Sequence, residues 1–161
     1  MPTVHLIHGY ICSGKTTFAK RLAEEVNGVR FNPDECMALL YGEDPPAAEF
    51  AGRLERVFAL IDEQWARVVR CGVDVVLDYG FWTRASRDAA RQRAAALGAA
   101  CRLYALQCPE AIARSRCQQR NADPQGSLYI AENTFDSLKS RFEPLQADEP
   151  HLLIQTDSTE A

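Results

Sequence analysis

The chain has 161 residues, of which 47% are apolar and 25% carry a charge, a composition typical of a globular protein with one domain over residues 1–161. Its net charge of −4 excludes a general positive field of the kind that attracts nucleic acid or an anionic membrane. The N-terminus lacks the pattern of a signal peptide, and no apolar run approaches the roughly 20 residues of a membrane span, so we expect a cytoplasmic protein.

Strand-length apolar runs alternate along the chain with segments of helical periodicity, and this pattern is typical of an α/β protein with helices covering a parallel sheet. In chain order it predicts strand Thr3–His8, helix Gly14–Val26, strand Val29–Phe31, helix Asp34–Leu40, helix Ala47–Cys71, strand Val73–Asp78, helix Thr83–Leu97, strand Cys101–Gln107, helix Pro109–Arg120, loop Asn121–Ser127, a helix from there to Phe142, and strand His151–Gln155. Five strands with helical crossovers predict a doubly wound sheet.

The cysteines show no CxxC pair and no other spacing typical of a zinc site. We therefore expect them to be reduced thiols of a cytosolic protein. Cys12 differs from the others because it lies in a glycine-rich loop, and its sensitivity to oxidation is left open. The six are Cys12, Cys36, Cys71, Cys101, Cys108 and Cys117.

The segment Gly9–Thr16 matches the phosphate-loop motif G-x-x-x-x-G-K-[ST] between a predicted strand and a predicted helix. Its glycines allow backbone N–H groups to curl around phosphate oxygens, and the following helix directs the positive end of its dipole at the same anion. In this pattern Lys15 contacts the β- and γ-phosphates of ATP, while the Thr16 hydroxyl is a ligand of Mg²⁺. The predicted nucleotide-binding residues are Gly9, Tyr10, Ile11, Cys12, Ser13, Gly14, Lys15, Thr16 and Thr17.

Acidic residues follow the second and third predicted strands, at the sheet edge where open parallel sheets bind ligands. Asp78 is predicted to hold Mg²⁺ or its waters, with a structural cap as the alternative. Asp34 is predicted to accept the proton of a hydroxyl acceptor, as a kinase aspartate does, although Glu35 is an alternative base and a helix N-cap an alternative role. A phosphate acceptor needs arginines, and the first arginine after the second predicted strand is Arg53. The absence of a nearer arginine favours a hydroxyl acceptor over a phosphate acceptor.

Arginines precede the loop at 121–127, and aromatic residues follow Asp78. Arg116 and Arg120 lie on one helix face, where they are predicted to stabilise charge on the transferring phosphoryl group; a solvated helix face is the alternative. The side chains predicted to contact a flat, partly apolar acceptor are Tyr79, Trp82, Arg84 and Arg87, with core packing as the alternative for Trp82.

The segments HGYICSGKTTFAKRLA, FNPDE, VDVVLDYGFWTRASR, CPEAIARSRCQQR and FEPLQADE together resemble the small P-loop kinases grouped with polynucleotide kinase, zeta toxin and chloramphenicol phosphotransferase. The resemblance implies a five-stranded sheet in the order 2-3-1-4-5, ATP with Mg²⁺, Asp34 as the base, lid arginines at Arg116 and Arg120, and a small lid at about 121–133. Polynucleotide kinases carry Asp-x-x-Arg after the second strand, whereas this chain has Met37 at the fourth position. A nucleic-acid substrate is therefore not expected.

The function predicted from these residues is ATP-dependent transfer of the γ-phosphate to a hydroxyl group of a small molecule. Two alternatives stay open: a kinase of the nucleoside monophosphate type, with a phosphate acceptor, and a nucleotide-gated binding module that transfers nothing.

Overall fold

The computed structural model describes residues 1–157. Within them, five parallel strands form one sheet in the order β2-β3-β1-β4-β5. The strands are β1 (Thr3–His8), β2 (Val29–Phe31), β3 (Val75–Gly80), β4 (Ala100–Gln107) and β5 (Leu152–Gln155). The predicted α/β fold and its strand order are confirmed.

The connections between the strands are helical. None of the helices within residues 1–157 is long and apolar enough to span a membrane. The helices are α1 (Lys15–Glu25), α2 (Pro33–Tyr41), α3 (Ala47–Arg70), α4 (Arg84–Ala96), α5 (Glu110–Ala122) and α6 (Glu132–Ser137), and a 3-10 turn follows at Lys139–Arg141.

The core lies on both faces of the sheet because successive residues of a strand point to opposite faces. Leu6 packs into one cluster with Trp65 of α3 and Ala94 of α4. Its neighbour Ile7 packs into a second cluster with Leu22 of α1. Because helices cover both faces, the central strand is buried on both sides and mostly apolar, with His5 and His8 as its buried polar residues.

Two predicted elements have different bounds in the structure. The third strand was predicted at Val73–Asp78 and lies at Val75–Gly80, because Asp74 accepts a hydrogen bond from the Thr3 backbone N–H (2.9 Å) ahead of the strand and His8 pairs with Gly80 at its end. Asp78 therefore lies inside β3 rather than at its last position. The sequence of β3 alone does not show which of its residues pair with those of β1.

The single helix predicted between Ser127 and Phe142 is shorter and divided in the structure. Only α6 and the 3-10 turn are helical there, whereas α5 continues to Ala122. The Asn121 side chain donates to the Ile130 carbonyl (2.6 Å) and accepts from the Ile130 N–H (3.1 Å), so the intervening chain folds back as a loop.

Candidate functional site

The loop from Gly9 to Thr16 is tightly curled between β1 and α1. A Cβ atom on Gly9 would lie 2.6 Å from Ser13 Oγ and 3.2 Å from Lys15 Cγ, so a larger residue does not fit there. Gly14 has φ +90°, in the left-handed region that glycine adopts without strain. It is also the N-cap of α1 and supplies no side-chain cap, so the first backbone N–H groups of α1 are left for an anion.

The loop opens into a cleft of about 1460 Å³ that α2, α3, α5 and the chain after Ala122 also border. Two buried polar atoms on this cleft, Ser13 Oγ and Arg120 Nε, have no hydrogen-bond partner among the described residues. Buried donors without partners are rare in folded proteins. Phosphate oxygens would accept from both, so the residues present fit a bound polyphosphate.

Thr16 and Asp78 meet beside the loop, as the sequence predicts for a magnesium site. Asp78 is 4% exposed, and its Oδ2 accepts from Thr16 Oγ1 (3.0 Å), Arg30 Nη1 (2.9 Å) and Asn32 Nδ2 (2.7 Å). Among the described residues no donor contacts its Oδ1. A hydroxyl and a carboxylate are the hard oxygen ligands that Mg²⁺ prefers, so this pair fits the ion, while Arg30 compensates the buried charge.

Asp34 lies in the first turn of α2 and lines the same cleft. The alternative role as N-cap is wrong, because Asn32 is the N-cap and its side-chain oxygen accepts from the Glu35 backbone N–H (2.8 Å). No donor among the described residues contacts the Asp34 carboxylate, and the residue is exposed where it lines the cleft.

Enclosure by the cleft and the neighbouring charges shift the pKa values of Asp34, Lys15 and Arg120. Enclosure by protein raises the pKa of Asp34, while the positive charges of Lys15 and Arg120 oppose that rise. The same enclosure lowers the pKa of Lys15 and of Arg120, and the negative charge of Asp34 counteracts both shifts. Lys15, Asp34 and Arg120 therefore interact electrostatically across one cleft.

Glu35, the alternative base, has cationic partners of its own. Its carboxylate pairs with Arg30 and lies 3.8 Å from Lys20 Nζ. Of the two neighbouring carboxylates, Asp34 is thus the one without a hydrogen bond within residues 1–157.

Arg116 and Arg120 of α5 both line the cleft. Arg116 donates to the Thr156 carbonyl (2.8 Å) and to Cys108 Sγ (3.4 Å), while Arg120 donates to the Leu128 carbonyl (3.5 Å). Both are half-buried rather than on a solvated helix face. The structure therefore brings these arginines to the same cleft as the phosphate loop.

The tentative assignment of Arg84 and Arg87 to the acceptor needs correction, since neither lines the cleft. Arg87 is fully buried and holds Glu149 through two hydrogen bonds, from Nε (2.7 Å) and Nη2 (2.8 Å). Arg84 binds Asp148 through both Nη atoms (2.9 and 3.0 Å) and Asp88 through Nε (2.8 Å). Both guanidinium groups are occupied by carboxylates of the protein itself.

The other two tentative acceptor residues, Tyr79 and Trp82, do line the cleft. Trp82 Nε1 donates to the Gly9 carbonyl (3.0 Å), and the Tyr79 hydroxyl donates to Asp62 (3.3 Å), so both rings are held in place. The cleft residues that sequence reasoning did not assign include Phe50, Leu54 and Phe58 of α3. Their spacing of four residues predicts a helix with an apolar stripe, but it does not reveal that part of the stripe faces a cleft.

Cys12 and Cys117 form a disulfide between the phosphate loop and α5, with their Cα atoms 5.7 Å apart. The expectation of reduced thiols is therefore wrong for this pair. It was missed because the two positions are separated by 105 residues and only the packing of α5 onto the loop brings them together. Cys36, Cys71, Cys101 and Cys108 are free thiols.

Comparison with known proteins places this geometry in a family. A family model described as an AAA domain matches residues 4–145. No curated protein matches the chain.

Similar solved structures include a candidate kinase from Chloroflexus aurantiacus (16% identity, TM-score 0.76, covering 97% of this chain and 89% of that one). A gluconokinase from Sinorhizobium meliloti is 16% identical (TM-score 0.65, 96% and 82% covered). The APS kinase CysC of Mycobacterium tuberculosis is 18% identical (TM-score 0.59, 98% and 90% covered). At these identities the likeness shows the fold, and the family match covers most of the chain. The chain therefore belongs to the family described as an AAA domain.

Proposed function

We propose that this protein transfers the γ-phosphate of ATP to a hydroxyl group of a small molecule. The observation that carries the proposal is the Asp34 carboxylate, which has no hydrogen-bond donor among residues 1–157 and faces the cleft shared by Lys15 and Arg120. A carboxylate in that position accepts the proton of an attacking hydroxyl group.

Different residues of the chain would perform the separate parts of such a transfer. The backbone N–H groups of the phosphate loop bind the phosphate oxygens, and Lys15 neutralises the β- and γ-phosphates. Arg116 and Arg120 supply positive charge from α5, which stabilises the charge that builds up on the transferring group. Thr16 and Asp78 would hold Mg²⁺, which supplies further charge neutralisation to the phosphates.

The charges of the cleft favour a hydroxyl acceptor over a phosphate acceptor. Its basic lining residues come from the phosphate loop, α1, α5 and the 3-10 turn, and every lining residue from Asn32 to Thr83 is uncharged or acidic. A phosphate acceptor needs cations on that side, as does any strongly anionic molecule. Transfer of the phosphate to a nucleoside monophosphate is therefore the weaker alternative.

The walls of the acceptor side are largely apolar. Phe50, Leu54 and Phe58 of α3 face the cleft together with Tyr79 and Trp82. A few fixed polar groups among apolar side chains are typical of small-molecule sites. We propose an acceptor with an apolar face and at least one hydroxyl group; the neighbours named gluconokinase and APS kinase also support a small molecule.

Met37 is fully buried in the core rather than on the cleft, so it leaves no basic group where polynucleotide kinases have one.

The segment 121–133 is proposed to act as a lid over this cleft. Its Tyr129 N–H donates to the Glu43 carbonyl (2.8 Å), and its Gly126 N–H donates to the Glu43 side chain (2.8 Å). The lid thereby contacts the loop between α2 and α3 on the far side of the cleft. Closure of this kind excludes water, which would otherwise compete with the acceptor hydroxyl.

An assay of ADP release tests the proposal, with ATP, Mg²⁺ and a panel of neutral, cationic, carboxylated and phosphorylated hydroxyl compounds alongside nucleoside monophosphates. We expect stimulation by a non-phosphorylated hydroxyl compound, and no transfer by Lys15→Ala. Asp34→Asn should lower kcat by about 10²–10⁴-fold, the usual contribution of a general base, with ATP affinity nearly unchanged by calorimetry. The neighbouring substitution Glu35→Gln is the matched control.

The outcomes separate the candidate functions. Stimulation by nucleoside monophosphates alone would replace the hydroxyl acceptor with a phosphate acceptor. Normal turnover in Asp34→Asn would remove the base assignment. Nucleotide-dependent capture of a protein partner without stimulated ADP release would favour the binding module.

A further inference from the structure

The disulfide between Cys12 and Cys117 joins the two elements that enclose the proposed nucleotide site. Cys12 lies within the phosphate loop and lines the cleft. Cys117 is 7% exposed and lies on α5, adjacent to Arg116 and one turn before Arg120. A covalent bond here acts directly on the arginines that face the phosphates.

The pair lies between an apolar cluster, in which Cys117 is buried, and the cleft, which Cys12 lines. Cys117 is buried in the cluster with Ile11, Ala113 and Phe135, and Cys12 packs against the same cluster. Cys12 has φ +55°, a left-handed conformation that is uncommon for a residue other than glycine. The loop thus presents a thiol to the cleft at a backbone position where glycine would be less strained.

Polar contacts already link the same two elements. Arg116 of α5 donates to the Thr156 carbonyl (2.8 Å), and Thr156 Oγ1 donates to the Ser13 carbonyl of the loop (2.6 Å). Such contacts break and re-form during a lid movement, whereas a disulfide does not. Disulfides hold Cα atoms within about 6.8 Å, so from the present 5.7 Å the pair allows only about 1 Å of separation between loop and helix.

We infer that Cys12 and Cys117 are a reversible thiol-modification site at which a low-molecular-weight disulfide such as oxidised glutathione locks α5 onto the phosphate loop and slows nucleotide exchange. The inference rests on the proposed nucleotide site. The helix α5 leads directly into the proposed lid at 121–133, and exchange of nucleotide beneath a lid requires the lid to open. The reduced protein exchanges nucleotide freely, and the oxidised protein is held closed.

The chemistry balances with that oxidant alone. The Cys12 thiolate, exposed on the cleft, attacks one sulfur of oxidised glutathione, forms a mixed disulfide and releases one glutathione thiolate. The Cys117 thiolate then attacks the Cys12 sulfur and releases the second glutathione thiolate. The two protein thiols lose two electrons and two protons, and one glutathione disulfide becomes two thiols.

The test measures the dissociation rate of an N-methylanthraniloyl derivative of ATP with Mg²⁺, from protein equilibrated with oxidised glutathione or with dithiothreitol. Peptide mapping by mass spectrometry records the Cys12–Cys117 crosslink in each sample. We expect dissociation at least tenfold faster after reduction. Cys117→Ser should be fast in both buffers, and Cys71→Ser, which alters an exposed free thiol, should behave as the wild type does.

Three results would overturn the inference: rates within twofold of each other despite a mapped crosslink, no crosslink after oxidation, or no nucleotide binding in either state. The last of these would remove the proposed function as well. Redox-dependent exchange without phosphate transfer to any hydroxyl compound would leave the inference standing and refute the proposed function, so the two fail separately.

Discussion

The substitution Arg87→Met is expected to destabilise the protein strongly, because it leaves the buried Glu149 carboxylate without its main partner. Both side chains are fully buried, and two hydrogen bonds of 2.7 and 2.8 Å join them. This pairing lowers the pKa of Glu149. Methionine fills a similar volume, so the loss reports the charge rather than a cavity.

The size of the loss follows from what remains around the carboxylate. Breaking a buried ion pair by removing one partner costs about 3–5 kcal/mol. Arg91 Nη2 (2.9 Å) and the Gln146 N–H (3.0 Å) still contact Glu149, and this reduces the cost. Arg87 Nη1 also donates to the carbonyl of Phe81 (3.1 Å), whose loss adds to it. We therefore expect about 4 kcal/mol, or roughly 8–16 °C in Tm.

Urea unfolding monitored by circular dichroism measures the effect, with Arg84→Met as the matched control. The Arg84 side chain is 37% exposed and its partner Asp148 is 67% exposed, so their ion pair should contribute less than about 1 kcal/mol. The double substitution Arg87→Met with Glu149→Leu removes both buried charges and should lose less than Arg87→Met alone. A loss below about 1 kcal/mol in Arg87→Met, or equal losses at the two arginines, would refute the reasoning.

Three further outcomes concern the site and the core. Because enclosure raises the pKa of Asp34, kcat/KM should fall on acidification at a pH above the ordinary aspartate value of 3.8, and a pH–rate profile of Asp34→Asn should lack this limb. Reducing the Cys12–Cys117 disulfide should lower the unfolding free energy by about 2–4 kcal/mol, measured in urea with and without dithiothreitol; Cys117→Ser should not respond to the reductant. Burial lowers the pKa of both His5 and His8 from 6.5, so the unfolded chain takes up protons first. Stability should then be full above pH 6.5 and fall as the pH drops from 6.5 towards the lower folded values, so unchanged urea midpoints between pH 7.5 and 5.5 would contradict this.

Much of the fold and the phosphate loop was predictable because their signals are local. The motif around Lys15 places glycines and a lysine within eight residues, and the strand order followed from the resemblance to known kinases. The ends of β3 and the partner of Arg87 were not predictable, because register and ion pairing depend on chain segments that are distant in sequence. Arg87 and Glu149 are 62 residues apart, and nothing near either one indicates the other.

The two aspartates of the cleft show how environment, rather than residue type, separates their proposed roles. Three donors converge on Asp78 Oδ2, so this side chain is held in one orientation beside Thr16, as a ligand must be. Asp34 receives no donor among the described residues, and its pKa is raised. Proton acceptance requires an accessible, basic carboxylate, and Asp34 is exposed and lines the cleft. Asp78 is only 4% exposed, so an acceptor hydroxyl group reaches Asp34 more readily, although no described donor contacts Asp78 Oδ1.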